Sequence, residues 1–147
     1  MDNLSTKMLA EYQGRRPGTA AIGFFADVAA AQAACRTFLR AGIAAETWTA
    51  GMSANAKYAL VQAVRRGEIK ALFGGWVAAP GELPPVFQVA LVGRPTRSVA
   101  VHCSHYAAVG KTGLVLDFVG NMHRYMIPRG FEGTAVSVLH DQDQKAA

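Results

Sequence analysis

Residues 69–98, IKALFGGWVAAPGELPPVFQVALVGRPTRS, restrict the fold more than any other stretch of the chain. An apolar run over 69–73 leads into a Gly/Pro-rich loop over 74–85 and a second apolar run over 86–92. Arg94-Pro95-Thr96-Arg97-Ser98 then has the form of a helix start. Strand, long loop, strand, helix start is the grammar of an α/β protein. In an open parallel sheet, loops leaving the carboxyl ends of strands form the ligand crevice, so residues 74–85 are where chemistry is expected. They carry almost none. Glu82 is the single ionisable side chain in a loop otherwise made of Gly, Ala, Pro, Val, Leu and Trp76.

The rest of the chain extends the same pattern. Leu4, Met8, Leu9 and Tyr12 stand at helical spacing, and residues 14–18, with Pro17, end that helix. The apolar run over 19–25 suits a buried strand. Asp27 is placed to cap a helix over 28–40 that Gly42 ends. Residues 43–49 read as the next strand, and Ser53 as the cap of a helix that runs to Arg66 and stops at Gly67. After the strands of the opening stretch come a helix near 97–108 and a last strand over 111–117. Beyond Gly130 the chain is polar and without period, so a frayed end is expected. These elements predict an α/β fold with a mostly parallel sheet of about five strands, right-handed crossovers and helices on both faces. The organisation expected is a leading helix and linker over 1–18, one domain over 19–130 and a polar tail over 131–147.

With 147 residues and 51% hydrophobic content, one domain can build a core without metal or disulfide. No apolar run of about 18 residues and no signal-peptide pattern occurs, which predicts a soluble cytoplasmic protein with no membrane contact. Cys35 and Cys103 are then expected as buried thiols. The net charge of +5 permits an acidic partner such as DNA or RNA. It does not require one, because the basic residues are scattered in ones and twos, as on any solvated surface.

Several short segments, in order, resemble the C-terminal RecA-like domain of superfamily 2 helicases, in particular the phage and restriction-motor branch of the DEAD/DEAH type. The stretch AAIGFFADVAAAQAACRTFLRAGIAAETWTAGMS is similar to that family's motif IV strand, the helix after it and the next strand with its Gly turn. SANAKYALVQAVRRGEIKAL resembles the pattern S-x-x-E-R-x-x-x-L-x-x-F-x-x-G-E-I-x-V-L. GRPTRS and GKTGLVLDFVGNMHR resemble R-P-T-x-S and G-K-x-x-x-x-V-L-D-x-x-G-N. Together these cover residues 3–127. The resemblance implies a RecA-like domain. It also points to Gly51, Ser53, Lys57, Gly74, Arg94 and Arg97 as nucleic-acid contacts, with phosphate met by backbone and hydroxyl donors at helix starts.

The departures bear on chemistry. The family's motif V, D-V-L-T-E-G-x-D-x-P, falls on Trp76, Pro80 and Leu83 where its three acids should stand, while Gly81 and Pro85 remain. Motif VI, Q-x-x-G-R-x-x-R, falls on Ser104 and Ala107-Ala108, and the chain is a few residues short where the second arginine belongs. Those arginines place fixed positive charge on a transferring phosphoryl group. No G-x-x-x-x-G-K followed by Ser or Thr occurs, and Gly110-Lys111-Thr112 shares only its last three letters. What the resemblance implies is therefore a non-catalytic relative of a helicase half, without catalytic residues or a cofactor.

Three further clusters were weighed. His102 and His105 share a helix face, which offers two metal ligands and no third, so ordinary surface or half-buried histidines fit as well. Cys103 and His105 diverge on a helix and make a poor nucleophile pair. Asp117 ends an apolar strand before Gly120-Asn121 and His123-Arg124, where a carboxylate either acts in chemistry or caps the turn. Trp48 and Trp76 offer aromatic faces for a base or a protein partner, or simply pack over the sheet edge.

Three functions are compatible with this reading. The first is a helicase-like domain that binds nucleic acid, or binds a protein partner through Trp76, Pro80 and Leu83. The second is a phage-encoded inhibitor or decoy, of anti-CRISPR or other anti-defence type, aimed at a helicase-nuclease or effector complex. The third is one half of a split ATP-dependent helicase. A homodimer through the face that normally meets the other RecA-like domain is a further expectation.

Overall fold

The computed structural model describes residues 3–75 and 86–138. In chain order the elements are α1 (Asn3–Arg15), β1 (Ala21–Phe25), α2 (Val28–Arg40), β2 (Ala45–Trp48), α3 (Ala54–Arg65) and β3 (Ala71–Gly74). They continue with β4 (Val89–Gly93), α4 (Val99–Ala107), β5 (Leu114–Asp117), a 3-10 turn at Asn121–His123 and β6 (Thr134–Ser137). Three of the helices begin at a side-chain cap. Asp27 accepts the Ala30 N–H at 2.8 Å, Ser53 that of Ala56 at 3.1 Å and Ser98 that of Val101 at 3.3 Å. Each cap satisfies one of the donors that a first helical turn leaves open.

The strands form one sheet in the order β2-β3-β1-β4-β5-β6, and every neighbouring pair is parallel. β1 lies inside it, hydrogen-bonded to β3 on one side and β4 on the other. The sequence predicts about five strands and a polar tail over 131–147. Thr134–Ser137 is instead a sixth strand, in register with Leu114–Asp117. It escaped notice because it is short, lies at an edge and is only partly buried, so it has no need of a continuous apolar run. Residues 139–147 lie outside the described part.

Strand side chains alternate between two cores. Phe25, Phe73, Leu91 and Leu116 face α1 and α2, where Met8, Tyr12, Ala34 and Phe38 meet them. Ile22, Phe24, Leu72, Val92 and Val115 face the opposite side, with Val61 and Val64 of α3 and Tyr106 of α4. The helices therefore lie on both faces, as the alternation of elements predicted. α1 runs against the strand direction: a Cβ at Gly93, the last residue of β4, would meet Met8 and Leu4. Cys35 is buried under α2. Cys103 is only half-buried, a departure from the expectation of two buried thiols, because it stands on the outer side of α4. Among the described residues no helix is long and apolar enough to cross a membrane.

Candidate functional site

The carboxyl ends of β4 and β5 are adjacent, and two buried polar side chains tie their loops into one body. Asp117, the last residue of β5, is 1% exposed. Its carboxylate accepts the N–H groups of Val119 and Gly120 at 3.0 Å each and that of Met122 at 2.7 Å. Of the two roles read for Asp117, this geometry is the cap: both oxygens are engaged in folding the chain back over the strand end. Gly120 takes φ +86° to complete the turn, a conformation that a side chain would resist. Asn121 then reaches across to the other loop. Its amide donates to the Arg94 carbonyl at 3.0 Å and its oxygen accepts the Thr96 N–H at 3.1 Å.

This bridge fixes where the cations stand. Arg97 and Arg124, one from each loop, line a polar cleft of about 500 Å³ together with Pro95 and Thr96. Both arginines are exposed, and neither takes part in an ion pair among the described residues. Arg94 is half-buried, with Nη1 3.5 Å from the Phe25 carbonyl at the end of β1. It braces the rim more than it faces the cleft. Arg124 had been noticed only as a neighbour of Asp117. Its pairing with Arg97 follows from β4 lying beside β5, which sequence spacing does not reveal.

The remaining predicted contacts form a second group. Gly51 and Ser53 are exposed at the turn between β2 and α3, and Lys57 sits one helical turn further on. The Lys57 ammonium lies 5.5 Å from the centre of the Trp48 ring, a cation–π arrangement. Trp48 itself is 4% exposed, so it is a core residue and not a free platform for a base. Gly74 is buried in the ladder, paired with Phe24 and Trp48. A Cβ at the next residue, Gly75, would strike the backbone of Asp27 and Val28, so the start of α2 packs directly on the end of β3. Trp76, Pro80 and Leu83 lie outside the described residues. Three strand spacings, about 14 Å, separate the β2 end from the β4 end. The sheet therefore does not join the two groups into one pocket; it sets them as two stations along one rim.

α4 shows what stands at the positions equated with motif VI. Ser104 is buried and donates to the Val101 carbonyl at 2.6 Å, Ala107 is exposed and Ala108 is buried. His102 and His105 are also buried, 2% and 1% exposed, which corrects the expectation of surface or half-buried histidines. α4 is laid under the chain that follows β5: His102 Nε2 is 3.1 Å from the Met126 carbonyl, and the His105 ring stacks on Phe24 at 4.5 Å. Burial lowers the pKa of both rings. That of His105 falls to about 4, helped by His102 and Arg94 and opposed by Asp117. Nδ1 of each ring and the hydroxyl of Tyr106 are buried without a hydrogen-bond partner. Among the described residues no three His, Cys, Asp or Glu side chains converge as a metal site.

No known protein-family model matches the chain, and no curated protein is similar to it. Among solved structures it is similar to the C-terminal domain of the DEAD-box helicase Dbp5 from S. cerevisiae, solved in a complex with Gle1 and IP6, each protein in variant form. The TM-score is 0.69 at 19% identity, over 97% of this chain and 88% of that one. At this identity the likeness establishes the fold, which is RecA-like.

Proposed function

We infer that this RecA-like domain acts by binding the phosphodiester backbone of a nucleic acid along the carboxyl-end rim of its sheet, with no ATP hydrolysis of its own. The observation that carries this reading is the Asn121 bridge, which holds Arg97 and Arg124 on two sides of one polar cleft. Guanidinium groups carried on backbone that Asn121 ties together suit phosphate oxygens. Gly51, Ser53 and Lys57 form the second station, at a separation that an extended strand spans with more than one nucleotide. The non-catalytic part of the proposal rests on the missing phosphate-binding loop and on Ala107 and Ala108 at the arginine positions of motif VI. The degenerate helicase ancestry, its phage and restriction-motor branch included, belongs to the same proposal.

The test is fluorescence anisotropy with labelled single-stranded and duplex oligonucleotides across a salt series, with phosphate release from ATP measured in parallel. Binding should weaken steeply with salt, and replacing both Arg97 and Arg124 by Ala should cost about tenfold and flatten the salt slope by roughly two ions. No phosphate should be released. Affinity unchanged in the double variant would sink the assignment of the cleft. Phosphate release on adding a separate motor half would favour the split helicase. The protein-partner and homodimer readings rest on Trp76, Pro80 and Leu83, which lie outside the described residues, and the inhibitor reading on the erased catalytic motifs. The Dbp5 domain, whose solved complex includes Gle1 and IP6, is a precedent for protein binding on this fold.

A further inference from the structure

A second surface lies on the far side of α4 from the arginine cleft, toward the amino-terminal ends of β5 and β6. The outer face of α4 meets the segment before β6 along an open groove of about 300 Å³. Cys103 and Ala107 stand one turn apart along its helical wall, and both are small enough to leave room. Pro128 and Phe131 form the opposite wall, with Phe131 packed edge-on against Tyr106 at 5.0 Å. The surroundings are unusually apolar for a surface. Val99, one turn before Cys103, is 60% exposed, and Met126 and Ile127, just before Pro128, are 89% and 48% exposed. These are three of the six large exposed hydrophobic residues in the described chain, and they lie on the two segments that form the groove walls.

Two further features indicate what fits. The only charged residues on the groove are Lys111 and Arg129, both exposed and of the same sign, and neither forms an ion pair among the described residues. The hydroxyl of Tyr106, whose ring lines the groove, is buried without a partner. A donor left unpaired at this depth is unfavourable, and it belongs to a residue that lines the groove.

We propose that this groove docks a protein partner through a short acidic segment, one apolar side chain entering between Ala107 and Pro128 while flanking carboxylates meet Lys111 and Arg129. Charge complementarity selects the occupant: a basic segment would bring like charges together, and an uncharged apolar one would leave both cations unanswered. The groove is separate from the arginine cleft, so the domain can hold a nucleic acid and a protein at once. This inference does not depend on the nucleic-acid reading.

The probe is a labelled peptide with a Leu-Phe centre flanked by glutamates, set against the same peptide flanked by lysines. The acidic peptide should bind with a Kd in the micromolar range and should slow maleimide labelling of Cys103. The basic peptide should do neither. Ala107→Trp, which fills the groove from an exposed position, and the pair Lys111→Glu and Arg129→Glu should each weaken binding about tenfold or more. The Arg97 and Arg124 double variant should bind the peptide like the parent. Equal binding of both peptides, or undiminished binding in Ala107→Trp, would overturn the proposal. So would displacement of the peptide by an oligonucleotide in the parent, which would make the groove part of the nucleic-acid surface. Circular dichroism of each variant separates loss of the groove from loss of the fold, and the Lys111/Arg129 pair, lying wholly on the surface, keeps the test open if Ala107→Trp misfolds.

Discussion

The two faces of the sheet are built on different principles. Toward α1 and α2 the packing is dominated by rings: Tyr12, Phe38, Phe73 and Phe25 form a chain of contacts with centroids 4.8–5.8 Å apart, and the Tyr12 hydroxyl donates to the Thr19 carbonyl at 2.6 Å. Toward α3 and α4 the sheet meets buried histidines, a buried serine, a tyrosine with an idle hydroxyl and a tryptophan beneath a lysine. Both candidate binding surfaces border the second face or the rim above it. The first face engages its tyrosine hydroxyl, whereas the second leaves the Tyr106 hydroxyl and a nitrogen of each histidine unpaired.

The sharpest way to break this contrast is to damage each face and compare. Phe38→Ala should destabilise the protein by about 4 kcal/mol, equally at pH 5 and pH 8, because the titratable groups beside this ring, Tyr12 and Cys35, have pKa values raised by burial and stay neutral across that range. Urea unfolding at the two pH values checks it; a pH-dependent loss would mean that the faces are not independent.

The second face should respond to acid. The folded pKa of His105 lies near 4, below the ordinary 6.5, so the unfolded chain binds more protons between those values. Stability is then fully present above about pH 6.5, falls as the pH drops toward 4 and levels below that. His105 alone contributes about 3 kcal/mol to the fall, and His102, lowered in the same direction, adds to it. His105→Phe keeps a ring against Phe24 and should remove most of the slope. Denaturant midpoints across this range decide the matter, and an unchanged slope in the variant would assign it elsewhere.

The smallest effect is expected at the β2 end. Lys57→Met keeps the aliphatic stem over Trp48 and removes the charge, which should cost about 0.5–1 kcal/mol. Chemical denaturation with Trp48 emission as the probe reads it. A larger loss would show that the second face depends on this pair more than on its apolar contacts.

The order of elements was legible because its punctuation is local. Asp27 and Ser53 precede their helices, and Gly42 and Gly67 follow them with φ of +82° and +75°. The sixth strand was not legible, since Thr134 and Ser137 are stabilised by pairing with β5 and not by burial of their own. The cleft was half legible. Arg97 stood out at a helix start, but Arg124 gains its meaning from Asn121 and from strand adjacency, which are long-range facts. On α4 the spacing of the two histidines is local, but their burial is not: His105 packs on Phe24 of the sheet and His102 lies against Tyr125 and the Met126 carbonyl, and no spacing within α4 records either contact.

The place of β1 in the sheet governs how the chain can be made. It leaves the ribosome before the other five strands of this sheet, yet its partners begin only at Ala71 and Val89. Until Gly93 has been synthesised, β1 has at most one hydrogen-bonded neighbour, and α1 lacks the β4 surface that seats Leu4 and Met8. Long-range pairing of this kind is slow and leaves a fully apolar strand uncovered in the meantime. Slowing translation between the codons for β1 and β4 should therefore favour aggregation of the nascent chain, whereas slowing it after β4 should be harmless.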